Sequence, residues 1–565
     1  MSFFSPITER SFSARILYAV VYGGLILGGA TMLVPLLIAI AGSMSGPSEK
    51  DSVSFYPKFI FHEEELWRRF VEARYGGSLD NWKMAWSDES LDFRSIPAVP
   101  KAEDSKGLEL WREFRAGKGV LPNAMSGLAF TRATGRDVGL ENDRFRNWLL
   151  EKYGGLDGVN SALLLEAPRP SAILPPLQNR VVLPEVETPF SRVFAEYVES
   201  LPESQRLIWD IGGFFRAVYL PRVFASIADY NRAYGTSYSS FAQVPFPKTA
   251  PSEGRDSWFQ FVRRILNLGF VDFTEAGREA WKQSGLSKVD FLRSLALPEQ
   301  VVVHSLDTGF AEWAKARGEA DARIPQRALD HLDFQANKIF WRKQFATQNF
   351  VYVIQEIVFY GNGLRNTFFL VVLCVAGALT VNPLAAYALS RFRLPQTYQI
   401  LLFFLATIAF PAEVAMIPNF LQIKELGIIN TFWALVVPGL VNGFSIFLLK
   451  GFFDSLPKEL YEAADIDGAS EWQIFFGITM RLSQPILAVL ALGAFTSAYS
   501  AFMFALILAP DPKMWTLMVW IYQMQQSAGA GIVYASILIT ALPTLAVYLC
   551  AQNIILRGII VPSEK

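Results

Sequence analysis

The stretch Leu456-Pro457-Lys458-Glu459-Leu460-Tyr461-Glu462-Ala463-Ala464-Asp465-Ile466-Asp467-Gly468-Ala469-Ser470-Glu471-Trp472-Gln473-Ile474-Phe475-Phe476 interrupts an otherwise apolar region. Pro457 suits the start of a helix, where its missing N–H leaves no bond unmade. Lys458 to Ile466 is made of good helix formers and predicts a short helix. Gly468 tolerates the positive φ that a sharp stop requires. A second helix is expected from near Ser470, with Glu471 favourable in its first turn. The segment therefore reads as helix–turn–helix. Ala463, Ala464 and Ala469 are small enough for a partner to approach the backbone. Glu462, Asp465 and Asp467 offer charge to a basic group on that partner. An amphipathic loop resting on a membrane surface, with no partner at all, fits the same residues.

Outward from this loop the chain is apolar. A bilayer core needs about 20 apolar residues per helix, and six stretches meet or approach that length: residues 16–41, 366–390, 398–421, 431–450, 485–509 and 532–556. The first is too long for a signal-peptide core and has no convincing cleavage site after it, so it reads as a retained helix. Basic residues orient the set. With the N-terminus cytoplasmic, the inner segments carry Arg10, Arg15, Arg391, Arg393, Lys450, Lys458, Arg481, Arg557 and Lys565. The short outer loops then carry only Lys424 and Lys513. Both termini and the 454–483 loop are thus expected inside, and the long segment 46–347 outside. Pro35, Pro383, Pro411, Pro418, Pro438 and Pro543 fall within the spans. Proline is tolerated at such depth where neighbours satisfy the freed carbonyls, which fits a transporter with broken helices better than a passive anchor.

The 565 residues are 52% hydrophobic with mean hydropathy +0.26. That average combines this apolar portion with a long charged one rich in Trp and Arg. A net charge of −1 suggests no polyanion-binding surface, so no nucleic-acid partner is expected. Cys374 and Cys550 both lie in apolar runs and read as buried thiols. His62, His304 and His331 are far apart and have no metal-ligand spacing, so no metal site is expected.

Glu462-Ala463-Ala464 through Asp467-Gly468-Ala469, with Phe475 following, resembles the EAA loop of permease subunits of binding-protein-dependent ABC importers. Ala385 through Arg393, Ile417-Pro418, Leu426 through Thr431 and Phe447 through Phe453 are similar to segments of the carbohydrate-uptake permeases. The nearest likeness is to the second permease of maltose-type and glycerol-phosphate-type systems. It covers about residues 348–560 and, more loosely, 10–45. The resemblance implies an all-α membrane protein with six transmembrane helices and a large, mainly α-helical extracytoplasmic insertion between the first two. Three regions follow: 1–45, the insertion 46–347, and the permease core 348–565 with its coupling loop 454–483.

The resemblance also implies a mechanism. The loop seats in a cytoplasmic ATPase dimer through Glu462, Ala463, Ala464, Asp467, Gly468 and Ala469. ATPase closure then switches access through a pore shared with a second permease, fed by an extracytoplasmic solute-binding protein. No Gly-x-x-x-x-Gly-Lys-Ser/Thr motif is present, so ATP and Mg belong to the partner and this chain is a transport subunit rather than an enzyme. Two departures from the family pattern stand out. Arg481 replaces a usual proline, and the helix there is expected to run on without a break. Tyr499-Ser500-Ala501-Phe502 replaces a Trp-Asn-Asp/Glu-Phe pattern.

Along the spans, Glu413 is an ionisable group in an apolar helix and hence a pathway candidate; a solvated helix end is the alternative. Asn442, Ser445, Tyr499 and Ser500 either line a sugar path or bond between helices. Trp515, Trp520, Tyr522 and Gln523, between the last two spans, suit contact with the binding protein or interfacial anchoring.

In the insertion, Leu66-Trp67-Arg68-Arg69-Phe70 through Tyr75-Gly76-Gly77 echoes Phe145 through Tyr153-Gly154-Gly155. Asp229 through Phe241 and Trp258 through Arg264 follow similar logic, so degenerate helical repeats are expected. These segments are similar to short pieces of barrel-type glycoside hydrolases, but no carboxylate pair can be set at glycosidase separation. Its Trp and Tyr residues are expected to capture sugar or dock a partner, or else to form a structural cap. A membrane-anchored extracytoplasmic protein that binds or processes carbohydrate is the other functional class. It needs only one helix as anchor.

Overall fold

The computed structural model describes residues 12–46, 49, 54–87, 92–96, 105–117, 125–128, 140–175, 181, 188–202, 205–319, 321–392, 394–408 and 411–558. The chain divides into two compact units, Met1–Asn349 with Gly529–Gly531, and Phe350–Ala528 with Ile532–Lys565.

The first unit begins with the apolar helix Phe12–Ser43, which contains Pro35. Its apolar part, Ile16–Ser43, has 28 residues, or about 42 Å at 1.5 Å per residue, more than a bilayer core needs. Its side chains are largely exposed up to Leu37. The end of this helix is fixed by Asn349, whose side-chain amide donates to the Ser43 carbonyl at 2.8 Å.

The rest of the unit is short helices with two small antiparallel sheets. Ser126–Leu128 pairs with Arg206–Ile208, and Val271–Phe273 with Val301–Val303. Three copies of one substructure recur. The eight-residue helices Leu79–Trp86, Leu156–Leu163 and Ile227–Tyr234 each end in a left-handed residue: Ser87 at φ +51, Leu164 at +55 and Gly235 at +67. Six positions on, at 93, 170 and 241, each chain forms a three-residue 3-10 turn. A buried aliphatic follows: Ile96, Ile173 or Val244. In the second and third copies an asparagine clasps the returning strand. Asn160 exchanges two hydrogen bonds with the Ala167 backbone (2.9 and 3.1 Å), and Asn231 does the same with Tyr238 (2.8 and 3.1 Å).

The repeat is real but its register differs from the sequence expectation. Tyr75-Gly76 and Tyr153-Gly154 lie between the two helices of their copies, whereas Tyr234-Gly235 closes the second helix. The match rests on glycine's freedom at two different turns. Helix Arg255–Arg264 leads instead into a 3-10 turn and strand Val271–Phe273, so it is not a fourth copy.

Aromatic side chains fill the core of this unit. Trp67, Trp82, Trp111, Trp209, Trp258 and Trp341 are buried, and Trp86, Trp148, Trp281 and Trp313 half-buried. The tryptophans of residues 46–347 are therefore buried or half-buried in packing, which fits the structural-cap alternative. Each fully buried ring removes roughly 150–250 Å² from water and so contributes strongly to this core.

Two buried carboxylates organise the polar interior. Asp330 accepts from Arg74 (3.3 Å), Trp86 (2.9 Å), Gln326 (2.9 Å) and the Tyr75 hydroxyl. Asp210 caps helix Ile211–Phe214 through the Gly213 N–H (2.6 Å). Asp307 accepts from the N–H groups of Ile211 and Gly212 at the same helix start.

In the second unit, Gly363–Arg391 is a helix of 29 residues with Pro383 inside. It packs along Gln484–Tyr499, Gly443–Asp454 and Leu517–Ser527. Glycines permit the closest approaches. A Cβ on Gly443 would lie 2.5 Å from the Phe404 carbonyl, and one on Gly377 would lie 2.4 Å from Leu440.

Among the described residues, Ile16–Ser43, Gly363–Arg391 and Ala530–Gln552 are long and apolar enough to cross a membrane. Phe432–Gly439 with Gly443–Asp454, bent by 50°, and Glu471–Leu482 with Gln484–Tyr499, bent by 82°, raise that to five if each pair is one span. The expected span 398–421 is instead two shorter helices, Thr397–Ile408 and Ala412–Glu425, the second starting after Pro411. The expected span 485–509 also ends early, at Tyr499, and Met503–Leu508 is a separate short helix. Proline and paired small residues end helices that composition alone would extend. Cys374 is half-buried and Cys550 exposed on its helix, so only the first resembles the buried thiol expected.

Candidate functional site

The stretch 456–476 folds as two helical arms about a tight turn. Helix Lys458–Ile466 follows Pro457 directly. It ends in a Schellman motif, in which Gly468, at φ +75, donates to the Asp465 carbonyl at 3.2 Å and Ala469 to the Ala464 carbonyl at 3.0 Å. Ser470 and Gln473 form a reciprocal capping box on Glu471–Ile474. A π-helical turn, Phe475–Thr479, and Met480–Leu482 complete the second arm.

The side chains segregate by face. Tyr461, Ile474 and Phe475 are buried in one core with Ala386, Ile446 and Leu449. Ala464 and Ala469 are half-buried against that core, so their small size serves the chain's own packing. Glu462, Ala463, Asp467 and Gly468 are exposed, and Ile466 is 86% exposed. Ile466 thus stands free at the helix end between two carboxylates, Asp465 and Asp467, and takes no part in the packing of the loop.

Asp465 does not share that face. It is ion-paired with Arg391 at 2.5 Å, and the Arg391 guanidinium lies 4.8 Å from the centroid of the Tyr461 ring. Tyr387 donates to Glu471 at 2.5 Å. Tyr461 and Thr479 share a 3.1 Å bond between the arms. Ser390 donates to Asp454 at 2.6 Å, and Lys450 also pairs with Asp454. Sequence offered Arg391 only as an orienting charge and Glu471 only as a first-turn acid, and did not bring them or Tyr387 together at the loop. The available signal was a basic helix end facing an acidic loop across about 70 residues, a separation that local pattern cannot bridge.

The expected pathway residues separate. Asn442 caps helix Gly443–Asp454, accepting from Ser445 N–H at 2.9 Å, and its own N–H donates to buried Asn382 at 2.8 Å. Tyr499 is buried and donates to the Thr540 carbonyl at 2.7 Å, one turn before Pro543. Ser500 is exposed and donates back to the Thr496 carbonyl at 2.7 Å. Tyr499 thus bonds between helices through its hydroxyl and Asn442 through its backbone N–H, Ser500 bonds within its own segment, and Ser445 meets the Asn442 side chain through its backbone N–H. Glu413 lies in the first turn of Ala412–Glu425; its side chain lies outside the described ones.

In the 509–527 region, Trp520 is only 5% exposed and packs where Cβ atoms on Gly361 and Gly363 would collide with it. Trp515 meets it edge-on at 5.7 Å. Asn366 fixes the loop by donating to the Lys513 and Trp515 carbonyls (2.8 and 3.0 Å). Tyr522 is 37% exposed beside Phe502, and Gln523 is half-buried.

Residues 382–560 match the family described as binding-protein-dependent transport system inner membrane component. The sn-glycerol-3-phosphate transport system permease protein UgpE of Yersinia enterocolitica is 32% identical over 210 residues, covering 36% of this chain and 74% of that protein. The chain belongs to this permease family.

Two Bacillus subtilis proteins are also similar. The polygalacturonan/rhamnogalacturonan transport system permease protein YtcP is 29% identical over 238 residues, covering 39% of this chain and 82% of that protein. Protein LplC is 36% identical over 166 residues, covering 26% of this chain, which spans 56% of LplC. A solved bacterial ABC transporter involved in import of the acidic polysaccharide alginate is 26% identical, covering 36% of this chain and 78% of the solved one, with a TM-score of 0.33.

Arg481, where this permease departs from the family pattern, does not carry a continuous helix. The chain bends by 82° two residues later, at Ser483 (φ −94°, ψ 7°). Pro485, in the first turn of the next helix, supplies the break instead. A proline there removes a donor to the preceding turn, so the helix breaks close to Arg481 without a proline at that position.

Proposed function

We propose that this chain is the membrane-spanning subunit of an ATP-driven importer for a sugar or oligosaccharide, and that the 456–482 loop couples a partner ATPase to alternating access. The observation that carries this reading is the exposed face Glu462, Ala463, Ile466 and Asp467, projected by the Schellman turn at Gly468. The carbohydrate and glycerol-phosphate transport named in its relatives supports the solute class. In this reading Glu462 and Asp467 meet basic groups of an ATPase dimer, and Ile466 enters an apolar recess between them. A second permease completes the pore, and a solute-binding protein delivers cargo. ATP and Mg are bound by the ATPase alone. The chain lies in the inner membrane with both termini and the loop on the ATPase side. Residues 46–347 lie on the opposite side as an extracytoplasmic domain.

Glu462→Lys tests the docking. It reverses charge on an exposed side chain, so membrane insertion and yield should stay normal while co-purification of the ATPase and solute uptake are lost. Normal uptake in that variant refutes the reading. Purification of the chain alone, with glycoside hydrolysis by residues 46–347, would favour the anchored-enzyme class instead.

A further inference from the structure

The end of helix Gly363–Arg391 touches both arms of the loop through different side chains. Arg391 holds the first arm, by the Asp465 ion pair at 2.5 Å and by the Tyr461 ring. Tyr387, one helical turn earlier, holds the second arm through Glu471 at 2.5 Å. The arms are joined to each other at Tyr461 and Thr479. Tyr387 also packs on Phe475 with ring centroids 5.2 Å apart. The neighbouring helix Gly443–Asp454 is tied to the same end through Ser390 and Asp454.

We propose that Arg391 and Tyr387 are positioning residues of the coupling step, clamping both arms of the loop to the end of helix Gly363–Arg391. The inference rests on the docking reading above. A load applied at Glu462 and Asp467 enters the first arm one turn away from Asp465. With the clamp closed, the displacement passes into the long helix, which packs along three other helices of the core. With the clamp open, the turn at Gly468 absorbs it. Asp465 thereby has a role distinct from that of its exposed neighbours: its carboxylate is engaged by Arg391 to transmit force, while Glu462 and Asp467 are left to receive it. An exposed ion pair adds little to stability, so the effect belongs in coupling rather than in folding.

The test uses the reconstituted complex of this chain with its ATPase, second permease and binding protein in liposomes. Solute uptake and ATP hydrolysis are measured in one preparation. Arg391→Glu and Asp465→Arg should each retain the ATPase and hydrolyse ATP, while solute moved per ATP falls at least about fivefold. The joined reversal, Arg391→Glu with Asp465→Arg, should recover most of that loss. Tyr387→Phe, which removes one hydroxyl at constant shape, should lower the same ratio. If Arg391→Glu fails to insert, Tyr387→Phe and Asp465→Arg decide. An unchanged ratio in these variants overturns the clamp and leaves docking intact. Loss of the ATPase in Arg391→Glu, unrepaired by the joined reversal, also overturns it. If the unsubstituted chain retains no ATPase, the docking reading fails first.

Discussion

Gly468 shows how one backbone angle sets a working surface. A Cβ at this position meets nothing within 4 Å, and its φ of +75 is the only obstacle to a side chain. Gly468→Ala should therefore cost about 1–2 kcal/mol from backbone strain alone. The expected result is a modest fall in the thermal stability of the detergent-purified chain with a larger fall in ATPase retention, since the strained turn would rotate Ile466 and Asp467. Equal retention would mean that the turn is not part of the contact. The glycine, the proline at 457 and the cap at Ser470 were all legible in sequence because each acts on its immediate neighbours. The orientation of Asp465 was not, because its partner Arg391 lies 74 positions away. Ala464 and Ala469 look alike in sequence to Ala463, yet only Ala463 is exposed. Composition reports size and not direction.

At the scale of elements, helix Ile211–Phe214 brings two carboxylates together that sequence kept apart. Burial pushes Asp210 up to about 7, the neighbouring Asp307 adds to the rise, and Arg216 and the Gly213 N–H oppose it. The folded carboxyl thus holds its proton more tightly than the unfolded one, whose value is about 4. Its contribution to stability is complete below about pH 4 and is lost as pH rises through 7. Melting temperature of this unit should therefore decline between those values, and Asp210→Asn should flatten that decline. A slope unaltered by the substitution would assign the effect elsewhere. The threefold substructure was visible as an echo of Tyr-Gly dipeptides. Its true register depends on the left-handed residue that ends each second helix, which is Ser87, Leu164 or Gly235. Serine and leucine give no composition signal for that conformation, so only the third copy announced it, while the Tyr-Gly pairs of the first two mark a different turn.

For the molecule as a whole, the large segment behind the first apolar helix has its own aromatic core. Expressed as residues 54–349, without the apolar helices, it should be a soluble monomer with a cooperative thermal transition and strong near-ultraviolet aromatic signals. A fragment that only aggregates would mean that the core depends on the removed residues. The family and the helical class were legible because apolar runs and the 456–476 stretch are continuous in sequence. The breaks within the spans were not, because 398–421 and 485–509 are continuous in composition but interrupted in structure by turns that proline and small residues open. The burial of aromatic residues in the long segment was not legible either. A tryptophan contributes the same letter whether it fills a core or faces solvent.

The π-helical turn Phe475–Thr479 amounts to one surplus residue in a helix. Each residue in an α-helix advances the chain by about 100°. Removing Gly477 would therefore spin the Glu471–Ile474 arm about its own axis by roughly that angle relative to Gln484–Tyr499. Homologous chains without the surplus should show a one-residue gap at this point, and a different edge of the second arm would then lie toward Tyr387.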